Sequence, residues 1–259
     1  MKKNIVSIAL MAGMVFLAAC SAAGSQQGTK ADLTGKIWVL TDLGGKPPVQ
    51  GSAITIEFTE DGKVSGSASC NRYAGTYTVS GNSIQISENL ATTQMACEQP
   101  LMDQETAYTT ALGTVKNFSV KGDQLTLSDA SGKAVATYKA QSQSISGTSW
   151  NVIAYNNGKQ AVTSVINGTT LTADFGSDGN LTGDAGCNTY NGPYKVDGNN
   201  ITIGPLASTM KACSEPAGIM DQEMQFLTAL GNAATYRVEG SLMELRSSDG
   251  ALQVQLSQK

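Results

Sequence analysis

The sequence predicts an α+β protein that uses one design twice: each copy is a small antiparallel, barrel-like β-sheet with one packed helix. Three observations carry this. Blocks of the chain recur at a nearly fixed spacing, each block alternates apolar and polar residues between glycine-centred turns, and each holds one segment of helical period. Aromatic content is low and glycine abundant, as many short strands joined by tight turns require.

The repeat is read directly. Gly35-Lys36-Ile37-Trp38 recurs as Gly147-Thr148-Ser149-Trp150, and these hold the only two tryptophans. Cys70-Asn71-Arg72-Tyr73-Ala74-Gly75-Thr76-Tyr77 recurs as Cys187-Asn188-Thr189-Tyr190-Asn191-Gly192-Pro193-Tyr194. Leu90 to Cys97 recurs as Leu206 to Cys213, and Met102-Asp103-Gln104-Glu105 returns unchanged as Met220-Asp221-Gln222-Glu223. The offset drifts only from 112 to 118 residues. A unit of about 110 residues is a normal size for one core.

Within each unit, Ile54–Phe58 and Leu171–Phe175 alternate in the period of a half-buried strand. Asp61-Gly62, Ser80-Gly81-Asn82 and Lys121-Gly122-Asp123, with Asp178-Gly179, Asp197-Gly198-Asn199 and Glu239-Gly240-Ser241, read as hairpin turns. Tyr73, Gly75 and Tyr77 share one strand face, as do Tyr190, Gly192 and Tyr194, and the intervening glycine predicts a bend or a close approach. A helix is expected from about Pro100 to Leu112 and from about Pro216 to Leu230, since proline favours a first turn. Its apolar stripe takes Leu101, Met102, Tyr108 and Leu112, and then Ile219, Met220, Phe226, Leu227 and Leu230. A sheet this small with a single helix is expected to keep an edge or a gap.

At the start of the chain, Lys2 and Lys3 precede an apolar run from Ile5 to Leu17 and then Leu17-Ala18-Ala19-Cys20. A charged start, a short apolar run and small residues at a cut describe a secretory signal. The run is too short for a bilayer, which needs about 20 residues. The junction resembles a lipobox, which implies cleavage before Cys20 and acylation of that residue. More than one acyl chain is needed for a stable anchor. Ser21, rather than Asp, after the lipidated cysteine resembles the outer-membrane sorting pattern. The expected organisation is a signal peptide at 1–19, lipidated Cys20 and a flexible tether over 20–33, a first domain at 34–140, a linker at 141–146 and a second domain at 147–259.

Charge and composition exclude several activities. Without Lys2 and Lys3 the net charge falls from −4 to −6, and no basic cluster offers a nucleic-acid footprint. The chain has no histidine, which removes histidine-based catalytic triads and Cys/His zinc sites. No cofactor or metal ligand set stands out, and no residue is assigned as catalytic.

The repeated motifs, Cys-Asn-x-Tyr-x-Gly-x-Tyr, then Ala-[Thr/Ser]-Thr before Ala-Cys, then Met-Asp-Gln-Glu on a helix, resemble the META domain of HslJ-like heat-shock lipoproteins. The resemblance covers both copies. It implies an envelope location, a link to stress and a cysteine pair, and it supplies no reaction. Thr189 stands where Arg72 does, and two extra residues separate Cys213 from Met220.

With Cys20 assigned to lipid, Cys70, Cys97, Cys187 and Cys213 allow three pairings. Each copy holds one cysteine before its Tyr-Gly-Tyr strand and one before its helix, so the expectation is Cys70–Cys97 and Cys187–Cys213 in an oxidising compartment. Closing such loops contributes about 3.5 kcal/mol each in the chain-entropy model. No Cys-x-x-Cys pair points to redox chemistry.

Asp103 and Glu105 are two residues apart on a helix and do not face each other, so they form a poor acid–base pair. Glu105 falls in the middle of the apolar stripe, and Glu223 repeats this. A buried carboxylate needs hydrogen bonds, so both are expected to clamp loop N–H groups, with a ligand-facing role as the rival. Asn71 and Asn188 are expected to bond local backbone at a turn, and Met95 and Met210 to line the core edge. Three functions then compete. The first is a non-enzymatic binding or assembly module with a groove for a peptide, an acyl chain or an envelope protein. The second is a structural or inhibitory envelope protein, holdase-like or protease-inhibitor-like. The third is a carboxylate-dependent hydrolase. A monomer is expected.

Overall fold

Alternating residues become strands where one side can be buried, and Thr55–Phe58 shows it: Ile56 and Phe58 are fully enclosed while Glu57 looks outward. Residues 29–259 are described in a computed structural model, and Cys20 and the leader assigned to 1–19 lie outside them. The first copy runs α1 (Lys30–Leu33), β1 (Ile37–Leu43), β2 (Thr55–Phe58), β3 (Lys63–Ser67), β4 (Arg72–Ser80), β5 (Ser83–Ile86), β6 (Ala91–Thr92), α2 (Gln99–Thr114), β7 (Asn117–Lys121), β8 (Gln124–Ser128) and β9 (Ala134–Ala140). The second runs β10 (Thr148–Asn156), β11 (Val162–Ser164), β12 (Thr172–Phe175), β13 (Asn180–Asp184), β14 (Thr189–Asp197), β15 (Asn200–Ile203), β16 (Ala207–Ser208), α3 (Ile219–Gly231), β17 (Thr235–Glu239), β18 (Leu242–Arg246) and β19 (Leu252–Gln258).

Both sheets are antiparallel and both close. In the first, the order β3-β2-β1-β9-β8-β7-β5-β4 returns through the β3–β4 pairing, and β6 adds to β4. In the second, β10-β12-β13-β14-β15-β17-β18-β19 returns through β19–β10, with β11 on β10 and β16 on β14. Each is an eight-stranded barrel carrying a helix. The expected gap is therefore absent from the ladder. Its thinnest seam is β5–β7, with Ser83 opposite Asn117, and β15–β17, with Asn200 opposite Thr235. The chain leaves the ladder at this seam to form the helix, which explains why so few residues pair there.

The registers match between copies. Leu40 faces Tyr138 as Val152 faces Leu256, and Leu43 faces Ala136 as Tyr155 faces Val254. Each barrel has its own apolar core. The tryptophans sit at equivalent places and are sealed: Trp38 Nε1 donates to the Leu33 carbonyl at 2.9 Å, and Trp150 Nε1 to the Thr148 hydroxyl at 2.7 Å.

Three expectations about boundaries need correction. The tether assigned to 20–33 ends in α1, and Leu33 is part of the first core because it roofs Trp38. The linker assigned to 141–146 is stitched down: Ile145 belongs to the second core, and Gln143 bonds both sides of the Val238 peptide backbone. The second helix begins at Ile219, not Pro216, because Gly218 has φ +87°, outside any right-handed helix.

The helical stripe is also narrower than expected. Tyr108 and Leu112 are buried, but Met102 and Met220 are exposed. The buried side of α3 takes Ile219, Gln222, Glu223, Phe226, Ala229 and Leu230. Gln222 joins the expected Glu223 on that side.

Candidate functional site

The paired glutamates are held by the loop that follows each first cysteine. Glu105 Oε2 accepts the Asn71 N–H at 2.8 Å, and Oε1 accepts Asn71 Nδ2 at 3.1 Å. Glu223 does the same for Asn188, at 2.9 and 3.0 Å, with only 7% of its surface exposed. The asparagines pass the connection on. Asn71 Oδ1 accepts the Met95 N–H at 2.7 Å and the Thr93 hydroxyl at 2.9 Å. Asn188 Oδ1 accepts the Lys211 N–H at 2.8 Å and the Thr209 hydroxyl at 2.6 Å. The asparagines therefore bond the segments after β6 and β16, more than twenty residues away, not the local turn expected of them, because the disulfide brings that segment alongside. Cys70–Cys97 and Cys187–Cys213 are both formed, each with Cα atoms 5.9 Å apart.

Helix, cysteine loop and returning strand are thus tied by one carboxylate, one amide and one disulfide in each copy. Every carboxylate oxygen of the clamp faces an N–H donor, so its chemistry is that of a fastener. Asp103 is exposed and accepts from Gln99 Nε2 at 2.7 Å, pointing away from Glu105. Met95 and Met210 do not line the core edge. Both side chains stand in solvent, Met210 at 98% exposure, while the backbone of Met95 serves the first clamp and that of Lys211 the second.

The glutamine of the same motif escaped the sequence reading. Gln104 Oε1 accepts the Val49 N–H at 2.6 Å, and its Nε2 donates to the Ser52 and Ser69 hydroxyls. Gln222 accepts from Ile166 N at 2.7 Å and donates to the Thr169 hydroxyl at 3.0 Å. Its recurrence inside Met-Asp-Gln-Glu was the available signal. Among the described residues, no buried side-chain nitrogen or oxygen lacks a partner, and no group of three or more Asp, Glu or Cys could hold a metal ion.

The copies differ in their interiors. In the first, Tyr138 donates to the Tyr108 hydroxyl at 3.2 Å, Tyr108 and Tyr73 share a bond of 2.9 Å, and Tyr73 donates to the Thr55 carbonyl at 3.0 Å. Burial pushes all three phenols well above their ordinary range, so they stay neutral. The second copy keeps Tyr190 but has Phe226 and Leu256 where the others stand.

The face of Gly75 and Gly192, expected to bend or to admit a close approach, is occupied by the chain itself. A Cβ on Gly75 would lie 2.5 Å from Ser87 Oγ and 2.6 Å from Leu90 Cδ2, and one on Gly192 would lie 2.6 Å from the Pro205 carbonyl oxygen. The open surface is elsewhere. In the first copy a groove of about 600 Å³ runs between α2 and the end of β1, walled by Leu43, Pro47, Val49, Ala107, Ala111, Ala134 and Val135. Lys46, Lys133, Asp103 and Asp129 stand at its rim. The second copy puts larger side chains at most of these positions, among them Tyr155 for Leu43, Gln225 for Ala107, Leu252 for Ala134 and Gln253 for Val135. Tyr155 is 3% exposed, with its ring edge-on to Phe226 at 6.4 Å. The loop after β10 is also longer and folds back as β11.

The META domain model matches residues 31–142 and, again, 143–259. No curated protein matches the chain. Among solved structures, an NMR structure of a protein from Burkholderia xenovorans is 25% identical, with a TM-score of 0.38, over 44% of this chain and 83% of that one. A second NMR structure is 29% identical, with a TM-score of 0.37, over 43% of this chain and 94% of the other. A DUF4847 family protein from Bacteroides vulgatus is 19% identical, with a TM-score of 0.33, over 43% and 92%.

Proposed function

The chain belongs to the META domain family, twice over, and from that premise we propose a lipid-anchored outer-membrane protein whose first domain is a non-enzymatic binding module. The observation that carries this reading is the asymmetry of the groove: in the first copy it reaches α2 between small apolar residues, whereas the matching cleft of the second copy, about 730 Å³ and more polar, is lined by Asn156, Leu252 and Gln253 and by no residue of α3. A cleft of this size, mostly apolar with a few charged groups at its edge, suits a ligand that buries side chains. The occupant is an extended peptide segment of an envelope protein. The second copy supplies the template, since the buried ring of Tyr155, at the place of Leu43, takes the room such a side chain would use. A rim carrying two lysines and two aspartates suits a mixed-charge peptide better than the single carboxylate of a fatty acid.

The test is chemical-shift mapping of the full mature protein with envelope-derived peptides and, separately, with fatty acids. Peptide-induced shifts should cluster on Leu43, Val49 and Ala107. A variant carrying L43Y and A134L, which copies the second domain, should keep its fold and lose them. Shifts seen only with fatty acid would reassign the ligand. No clustering at all would leave the chain as a structural or inhibitory envelope protein.

Anchoring rests on the Leu17-Ala18-Ala19-Cys20 junction. Cys20→Ser is expected to remove the acyl mass and release the protein from membranes, read by fractionation with mass spectrometry. Retention of the unacylated variant in the outer membrane would contradict it.

A further inference from the structure

The two barrels meet through a small set of charges. Arg237 on β17 forms a two-pronged pair with Glu57 on β2, at 3.1 and 2.7 Å. Glu239 receives both the Arg72 guanidinium, at 3.1 Å, and the Thr55 hydroxyl, at 2.8 Å. Glu239 has only 14% of its side chain exposed. Beside them Gln141 accepts the Gly240 N–H at 3.0 Å, and a Cβ on Gly240 would lie 2.5 Å from that of Ala53. Nothing lies that close to Gly122, its counterpart in the first copy.

This contact is head-to-tail. The first copy offers its β2–β4 face, and the second offers the outer face of β17. Each copy owns both surfaces, so one of each is left over: the β12–β14 face of the second copy and the outer face of β7 in the first. Contacts of this kind propagate from molecule to molecule, into rings or open chains, when the free ends match. Here the ends do not match. Ser119 and Lys121 occupy the places of Arg237 and Glu239, and Thr189 occupies that of Arg72. Asp174, at the place of Glu57, is already paired with Lys259 at 2.9 Å. Of the four charged positions that make the internal dock, three differ in charge at the free ends, and the fourth, Asp174, is engaged by Lys259.

We infer that these substitutions are a built-in stop: the dock forms once within a chain and is denied between chains, so that a second copy of this protein is refused as a partner. The departure at Thr189 acquires a physical reason, because an arginine there would complete half of a second dock.

Two variants of the full mature protein test this. R237S/E239K places the first copy's residues in the dock and should free the barrels, read as a larger radius of gyration and independent tumbling by NMR relaxation. S119R/K121E/T189R restores matching free ends and should associate head-to-tail, read by sedimentation equilibrium up to millimolar concentration, while the unaltered protein stays monomeric. The inference is overturned if the first variant keeps the docked orientation. It is equally overturned if the second, folded by circular dichroism, stays monomeric, or if the unaltered protein associates as strongly.

Discussion

Burying a carboxylate among apolar side chains is unfavourable unless each oxygen finds a donor, and Glu105 and Glu223 each find two on one asparagine. Glu105→Ala and Glu223→Ala should therefore destabilise their own copies by about 1–3 kcal/mol, because a backbone N–H loses its acceptor. Asp103→Ala should stay within about 0.5 kcal/mol, as at other surface sites. Urea denaturation of the three variants checks the contrast, and equal small effects would mean that the glutamates are solvated. The sequence made the glutamates visible through their place in the helical stripe. It hid their partners, because Asn71 and Glu105 meet only after the cysteine loop has folded back. Gln104 and Gln222 were legible as repeats and went unread, since a neutral amide on a helix attracts no electrostatic suspicion.

Strand alternation placed β2 and β4 and their repeats β12 and β14, since period-2 burial is a local property. Closure of the barrels was not local: it depends on β3 meeting β4 and on β1 or β10 meeting the last strand of its copy. The glycine between two tyrosines was correctly read as a close approach, but the approaching group is the chain's own return to β6 or β16. A methyl at Gly75 meets side-chain ends that can give way, while at Gly192 it meets the backbone oxygen of Pro205. Gly192→Ala should thus cost more than Gly75→Ala, within the range of about 1–3 kcal/mol typical of overpacking. Denaturation midpoints of the two variants compare them directly, and the reverse order would show that the Pro205 segment moves aside.

Each barrel owns a separate core, a disulfide and a clamp. Residues 29–142 and 143–259, expressed apart, should each unfold in one cooperative transition by circular dichroism. A half that is molten alone would mean that the dock is part of its core. The dock itself should respond to acid. Burial raises the Glu239 carboxyl, but the Thr55 hydroxyl and the Arg72 and Arg237 guanidiniums outweigh it and hold it below the usual glutamate range. Its contribution is complete at neutral pH and is lost as pH falls below that range. Small-angle scattering from pH 7 to pH 3 should show the barrels separating before either unfolds. The duplication was plain in the sequence; the dock was not, because Arg72 and Glu239 lie in different copies and no periodicity links them. One consequence concerns light rather than charge. With a single tryptophan sealed in each barrel, emission from Trp38 reports only the half whose groove reaches its helix, and emission from Trp150 only the other half. A Trp150→Phe protein would therefore reveal, optically and without any added label, whether a ligand or a stress acts on the first domain alone.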